Sequence, residues 1–355
     1  MSNSMLTDTV GLATPLGKEA SQTKEYHSIE VHKAPLKNRC CKNVMSYRQK
    51  ATIAEHLVYF CALSTASYFG VVTRIYLGEL SQWNGVPLFH SLYPEIVGTA
   101  IMGFVGSHKN LLEDNHKAVY QAIATGLCGS ITTFSSWNLE ATNVLLQIDI
   151  YPIDNVARVI AWLTIILIGF GMPVAALYFG KHLARLSPWN DHKLPPADTN
   201  TATKKVEGVV FVIVWLVFTV VGIVVPYVVN RYDLLFSIVL SALGTYIRWQ
   251  LSPLNKAFEH FRLGTFIVNI FGSWVLAAVA VSIKHLGTNE QDVAHQFLIG
   301  LGTGFCGCLT TVSTFAVELT ILPLKDTYTY ALCSIFLAQV GLIVVTGTYH
   351  WVNAS

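Results

Sequence analysis

Charge is what this 355-residue chain has least of: Asp, Glu, Lys and Arg together make up 12% of it, while hydrophobic residues make up 52%. Soluble domains carry roughly 25% charged residues, so a water-exposed globule of this length is excluded. Recognisable catalytic motifs are missing as well. No His-Glu-x-x-His, Walker loop, Gly-x-Ser-x-Gly or paired Cys-x-x-Cys occurs, and the 12 histidines are scattered, which leaves a metalloenzyme little support. The seven cysteines are odd in number and lie mostly in predicted helices or the N-terminal tail, against a disulfide framework. A net charge of only +2, with the tail's basic residues spaced apart, argues against a nucleic-acid partner. It leaves room for weak attraction of the tail to an anionic leaflet.

What the chain does have is long apolar runs. Stretches of about 20 residues, enough to cross a bilayer, are read at 57–77, 93–108, 117–147, 156–183, 207–229, 232–251, 262–283, 293–322 and 328–351. The expected fold is therefore an all-α membrane protein of nine transmembrane helices. Residues 1–55 read as a disordered tail without the apolar core of a cleavable signal. The polar stretch Leu186 to Lys205 reads as a solvated linker. Basic residues set the orientation. Arg74, Arg158 and Arg248 fall inside predicted spans; of the other 20 Lys and Arg, an arrangement with the N-terminus inside puts all but Arg231 and Lys284 on the inner side. The C-terminus is then expected outside.

The chain also repeats itself. CGSITTFSSWNLE, Cys128 to Glu140, returns as CGCLTTVSTFAVE, Cys306 to Glu318. Two further pairs keep the same order: GVVTR from Gly70 with GTYIR from Gly244, and GTAIMGFVGS from Gly98 with GTFIVNIFGS from Gly264. Each unit holds four predicted helices, at 56–185 and 231–355, and segment 186–230 adds one linking span that turns the second unit over. Inverted repeats in transporters place substrate near mid-membrane, where helices break. The third helix of each unit is the expected break.

Several polar groups at membrane depth are candidates for function, each with a plainer alternative. Asn269 brings two N–H donors and a carbonyl to a helix centre, to line a pore or to bond between helices; its counterpart is Gly103. Gly98 with Ser107 and Gly264 with Ser273 also fit simple tight helix packing. The Gly-x-x-Thr-Thr stretches expose backbone carbonyls to a cation or to their mirror copy, or else back-bond within one helix. Glu140 and Glu318 face an aqueous vestibule or end a helix. Arg74 and Arg248 snorkel to the interface or join the halves.

These motifs resemble the Fluc, or CrcB-type, fluoride channels, and specifically the eukaryotic fluoride exporters in which two units are fused through an extra helix. GTFIVNIFGS, GFCGCLTTVSTFAVE and GLCGSITTFSSWNLE carry the likeness, which covers about residues 55–352. The resemblance implies a passive, selective fluoride pathway at the plasma membrane, in a monomer that acts as an antiparallel pseudo-dimer within the bilayer. It implies a structural sodium ion held by the backbone carbonyls of Gly129, Thr132, Gly307 and Thr310, and no organic cofactor. It implies two aromatic rings flanking the anion, the first from one unit and the second from the other.

The copies depart from that pattern. Phe134 and Trp137 stand in the first, Val312 and Phe315 in the second. Crossed pairing gives one route Phe134 with Phe315 and the other Val312 with Trp137, so one working route is expected. Its residues are Asn269, Phe134, Phe315, Ser313, Thr314, Thr133, Thr311, Tyr330, Ser334 and Glu318. Gly103→Ala is then expected to matter little. Two other classes remain open: a secondary carrier of a small metabolite that titrates Glu140 or Glu318, and a membrane receptor or scaffold.

Overall fold

A computed structural model describes residues 53–82, 89–148, 153–187, 201–287 and 292–354. The expected tail lies outside them up to residue 52, and so does 188–200 of the expected linker. Among the described residues all regular structure is helical. The first half holds α1 (Ile53–Glu79) and α2 (Leu92–Ser107). Next come a π-helical turn (Ala122–Cys128), α3 (Phe134–Leu146) and α4 (Asn155–Leu186). A linking helix α5 (Thr201–Val228) follows, so the last residues of the expected linker, from Thr201 on, are helical instead. The second half comprises α6 (Tyr232–Leu251), α7 (Leu263–Leu286), a helix Val293–Gly300 with its own π-turn (Leu301–Cys306), α8 (Ser313–Ile321) and α9 (Leu324–Leu342). The chain closes with a third π-turn (Ile343–Gly347) and a helix Thr348–Ala354.

Seven helical segments among the described residues are long and apolar enough to cross a membrane. Two of the nine expected spans are not among them. At 16 residues α2 is short, and Lys117 to Leu146 is diluted by its own Ser, Thr, Asn and Glu. Bilayer exposure is clearest along α5, whose Val209, Val210, Ile213, Leu216, Val217, Val220 and Val221 all stand exposed. A helix apolar all round and uncovered by protein belongs in lipid. Its docked side meets α1 and α6 (Tyr232–Leu251); against α1 the Phe69 and Phe218 rings lie 4.8 Å apart and Tyr68 shares a 3.3 Å hydrogen bond with Thr219.

The two halves meet reciprocally. Ser67 on α1 and Ser241 at the corresponding place on α6 share a 3.0 Å hydrogen bond, so equivalent residues pair with each other. That self-pairing is the mark of a two-fold contact. On either side the partners cross: α3 packs on α7 and α9 of the second half, and α8 packs on α2 and α4 of the first.

Candidate functional site

Both Thr-Thr pairs break their helices, as the repeat leads one to expect. Thr132 and Thr310 turn extended, with ψ of 145° and 156°. A break frees the first N–H groups of the following helix, and in each half one of them is taken by a hydroxyl of the other half. The Ser313 N–H donates to the Thr132 hydroxyl at 3.1 Å, and the Ser135 N–H donates to the Thr310 hydroxyl at 3.2 Å. Each half thus caps a helix of the other. Val312, at the cap position of α8, has no group of its own to do so. The hydroxyls of Thr132, Thr311 and Ser313 lie within 3.2 Å of one another, and Thr133 reaches Thr310 at 3.3 Å and caps Ser136 within α3.

The next amides along are held by unlike side chains. The Thr311 N–H donates to Asn269 Oδ1 at 2.9 Å, and Asn269 Nδ2 donates back to the Thr311 carbonyl at 3.2 Å. On the other side the Thr133 N–H donates to Glu95 Oε1 at 2.8 Å, and Glu95 Oε2 meets no partner among the described residues. Glu95, fully buried on α2, carried no signal in the repeat because the residue matching it in the second half is Phe261.

Arg74 and Arg248 do not snorkel; both are buried. A π-turn leaves carbonyls without an i→i+4 donor, and the arginine of the opposite half supplies one. Arg74 donates to the carbonyls of Thr303 and, at 2.8 Å, Gly307, and to Ser130 of its own half at 2.6 Å. Arg248 donates to Thr125 at 2.8 Å across the halves and to Cys308 at 2.9 Å. Any Cβ on Gly129 would collide with the Arg248 guanidinium, and one on Gly307 with that of Arg74. A side chain at either glycine would push the guanidinium off the carbonyls it serves. Among the described residues no hydrogen bond ends on the carbonyls of Gly129, Thr132 or Thr310, all in fully buried turns.

Beside the break, between α3, α7 and α9, lie the aromatic candidates. The Phe134 and Phe315 rings meet edge to face at 5.4 Å, and Tyr330 follows Phe315 at 5.2 Å. Trp137 and Val312 do not occupy a separate chamber. Both belong to the same buried cluster, Trp137 5.4 Å from Phe134 with its indole N–H donating to the Ile165 carbonyl at 3.0 Å. Crossing of the two units puts all four side chains near the seam.

Glu318 sits in no open vestibule. It is buried and accepts from the Tyr330 hydroxyl at 2.7 Å, the Thr265 hydroxyl at 2.7 Å and the Asn255 amide at 2.8 Å. Among the described residues Glu140 binds the Ser91 amide and hydroxyl, at 3.3 Å and 3.1 Å. The Ser334 hydroxyl is turned back to the Tyr330 carbonyl at 2.7 Å. Thr314 is half-buried and takes no part in the network. On the other side of the phenyl pair Gln339 donates to the Asn138 carbonyl and side-chain oxygen at 2.9 Å and 3.0 Å, and accepts from Thr142 and Trp162 at 3.0 Å each. Asn255, Thr265, Asn138 and Gln339 were missed from the sequence, though for Asn138 and Gln339 a carboxamide inside a predicted span is itself a signal.

Comparison with known proteins agrees with the doubled plan. The family described as CrcB-like protein, Camphor Resistance (CrcB), matches residues 61–177 and again 235–348. Fluoride export protein 1 of Candida albicans is 31% identical over 309 residues, covering 80% of this chain and 77% of that protein. Fluoride export protein 1 of Schizosaccharomyces pombe is 27% identical over 307 residues, covering 82% and 96%. The fluoride-specific ion channel FluC of Acinetobacter baumannii is 32% identical over 129 residues, which span 98% of that protein but only 35% of this chain. No solved structure matches. A family match over both halves, together with the Candida relative, establishes that this chain belongs to the CrcB-like family.

Proposed function

We propose that this chain is a passive fluoride channel that exports the ion across the plasma membrane through one route, between α3, α7 and α9. The observation that carries the reading is the Asn269 carboxamide set against the helix break beside the Phe134 and Phe315 rings. Fluoride is small and firmly hydrated, so its passage requires donors that replace water without binding too tightly. Asn269 spends one N–H on the Thr311 carbonyl and keeps the other. Aromatic ring edges are positive and add weak attraction. At the inner mouth, Tyr330, Thr265 and Asn255 hold their donors on Glu318, and an arriving anion exchanges them one at a time.

The remainder of the architecture follows the same reading. Nine spans, with the N-terminus in the cytoplasm and the C-terminus outside, make two inverted four-helix units, 56–185 and 231–355, and the chain works as a monomer that is its own pseudo-dimer. Reciprocal capping between Thr132 and α8, and between Thr310 and α3, supports that pairing. The unbonded carbonyls of Gly129, Thr132 and Thr310, with that of Gly307 shared by Arg74, suit a sodium ion at the crossing. Bound there, sodium supplies fixed positive charge between the halves.

The equivalent route in the first half lacks these parts. Gly103 stands where Asn269 would be and lies against the Leu177 backbone of α4, while Glu95 puts a carboxylate at the break. Growth of a fluoride-sensitive cell in graded fluoride tests the function. Expression of this chain should protect it and Asn269→Ala should remove the protection; equal sensitivity with and without the intact chain refutes the reading.

A further inference from the structure

Two buried oxygens on α2 have no partner among the described residues: Oε2 of Glu95 and Oγ1 of Thr99. Both side chains are fully buried. Residues four apart on a helix are neighbours, their Cβ atoms roughly 5–6 Å from one another, and α2 runs unbroken as α-helix through both positions. The two oxygens share one face of α2. Every other buried threonine among the described residues, from Thr132 to Thr346, places its hydroxyl in a hydrogen bond. Thr99 alone does not.

The matching places in the second half are filled differently. Thr265, the counterpart of Thr99, donates to Glu318 at 2.7 Å, and Phe261, the counterpart of Glu95, packs its ring 5.2 Å from that of Tyr330. Three donors converge there on one carboxylate. In the first half the balance is reversed: among the described residues Glu140 accepts from Ser91 and Glu95 only from the Thr133 N–H, so an oxygen of a carboxylate is left over. Arg74, the buried cation of this half, is committed to the carbonyls of Ser130, Thr303 and Gly307. A surplus of oxygen acceptors is matched by a cation, not by an anion.

A buried ionised carboxylate without a counter-charge is too costly to persist, and a bridging water would fill the hydrogen bonds without cancelling the charge. One carboxylate cancels a single charge. Among the described residues no three His, Cys, Asp or Glu side chains are grouped to hold a metal ion, which speaks against a divalent ion and the many oxygens that calcium takes.

We propose that Glu95 and Thr99 form a monovalent-cation site, for sodium or potassium, in the half where Gly103 replaces Asn269. Carboxylate and hydroxyl oxygens are the ligands that hard cations take. The site is separate from the sodium proposed at the crossing. In a trans peptide the carbonyl and the following N–H point opposite ways, so the Thr133 N–H that meets Glu95 directs the Thr132 carbonyl away from it. A cation here neutralises Glu95, whether or not fluoride takes the route beside Asn269.

Equilibrium dialysis of the detergent-solubilised full-length chain against radioactive sodium, and in parallel against radioactive rubidium as the probe for potassium, tests the site. Wild type should bind one ion more per chain than Glu95→Gln, whose amide oxygen still accepts the Thr133 N–H but carries no charge. Thr99→Val, which keeps the carboxylate, should weaken that ion's binding at least about tenfold, the loss that removing even an outer partner of a bound metal causes. Thr99→Ser should bind as wild type does. Counts of two and one report the crossing sodium as well, and counts of one and none report this site alone, so the two proposals fail separately. Equal counts in wild type and Glu95→Gln with both ions overturn the site and leave Glu95 neutralised by a proton. Unchanged affinity in Thr99→Val overturns it as well.

Discussion

The Thr132 hydroxyl accepts the Ser313 N–H at 3.1 Å, so the start of a helix in the second half is capped by a residue of the first. Thr310 and Ser135 return the contact at 3.2 Å. Capping across the seam makes folding of each break dependent on arrival of the other half. Removing a cap hydroxyl costs about 1 kcal/mol, and here the lost acceptor also leaves a buried N–H bare. Thr132→Val and Thr310→Val should each lower the thermal midpoint of the detergent-solubilised protein, by similar amounts, while the Ser variants should hold it. Loss at one site alone would show that the two caps are not equivalent.

The buried arginines permit a sharper statement. Each guanidinium serves carbonyls of both halves, and hydrogen bonds to a charged group contribute about 1.5–3 kcal/mol apiece. Lys cannot reproduce that fork. Arg74→Lys and Arg248→Lys should therefore yield little monodisperse protein on size exclusion. Wild-type yield from either would mean the carbonyls find other donors.

Asn269 and Gly103 occupy matching places but fail differently. Asn269→Ala should abolish fluoride flux, whereas Gly103→Ala, expected from the sequence to be mild, should destabilise the fold because a Cβ there meets the Leu177 backbone. Fluoride-electrode efflux and a melting curve on both variants separate these effects. An inert Gly103→Ala would require α2 and α4 to part without cost.

Phe134→Ile and Phe315→Ile should cut flux while leaving most of the fold's stability, since volume is largely conserved and only the ring edges are lost. Trp137→Phe should spare flux but cost about 1 kcal/mol through its hydrogen bond to Ile165. Efflux from vesicles, normalised to folded protein, reads both outcomes. The reverse pattern would place the anion beside Trp137.

Much of this was legible in the chain itself. The apolar runs mark the helices, and the returning Cys-Gly-x-x-Thr-Thr phrase marks the breaks, because glycine and paired hydroxyls weaken a helix wherever it lies. Glu95 and Asn255 were not legible, and Gln339, though a carboxamide inside an apolar run, could not be tied to a site. Each works through partners from another part of the fold: Glu95 reaches Thr133, Gln339 reaches Asn138, and Asn255 reaches Glu318. None belongs to the repeated phrases, so symmetry could not flag them. Arg74 and Arg248 were visible as a pair, but their role depended on π-turns whose freed carbonyls no local pattern announces. Trp137 and Phe134 stand three residues apart on α3, so their contact follows from the helix itself.

Fluoride efflux from liposomes holding the purified chain tests the central claim most directly. The account predicts fluoride leaving down its own gradient once charge is balanced by a potassium ionophore, with no dependence on a proton or sodium gradient, negligible chloride flux, and no flux in Asn269→Ala. Efflux that needs a coupling-ion gradient, or that passes chloride equally well, would contradict it.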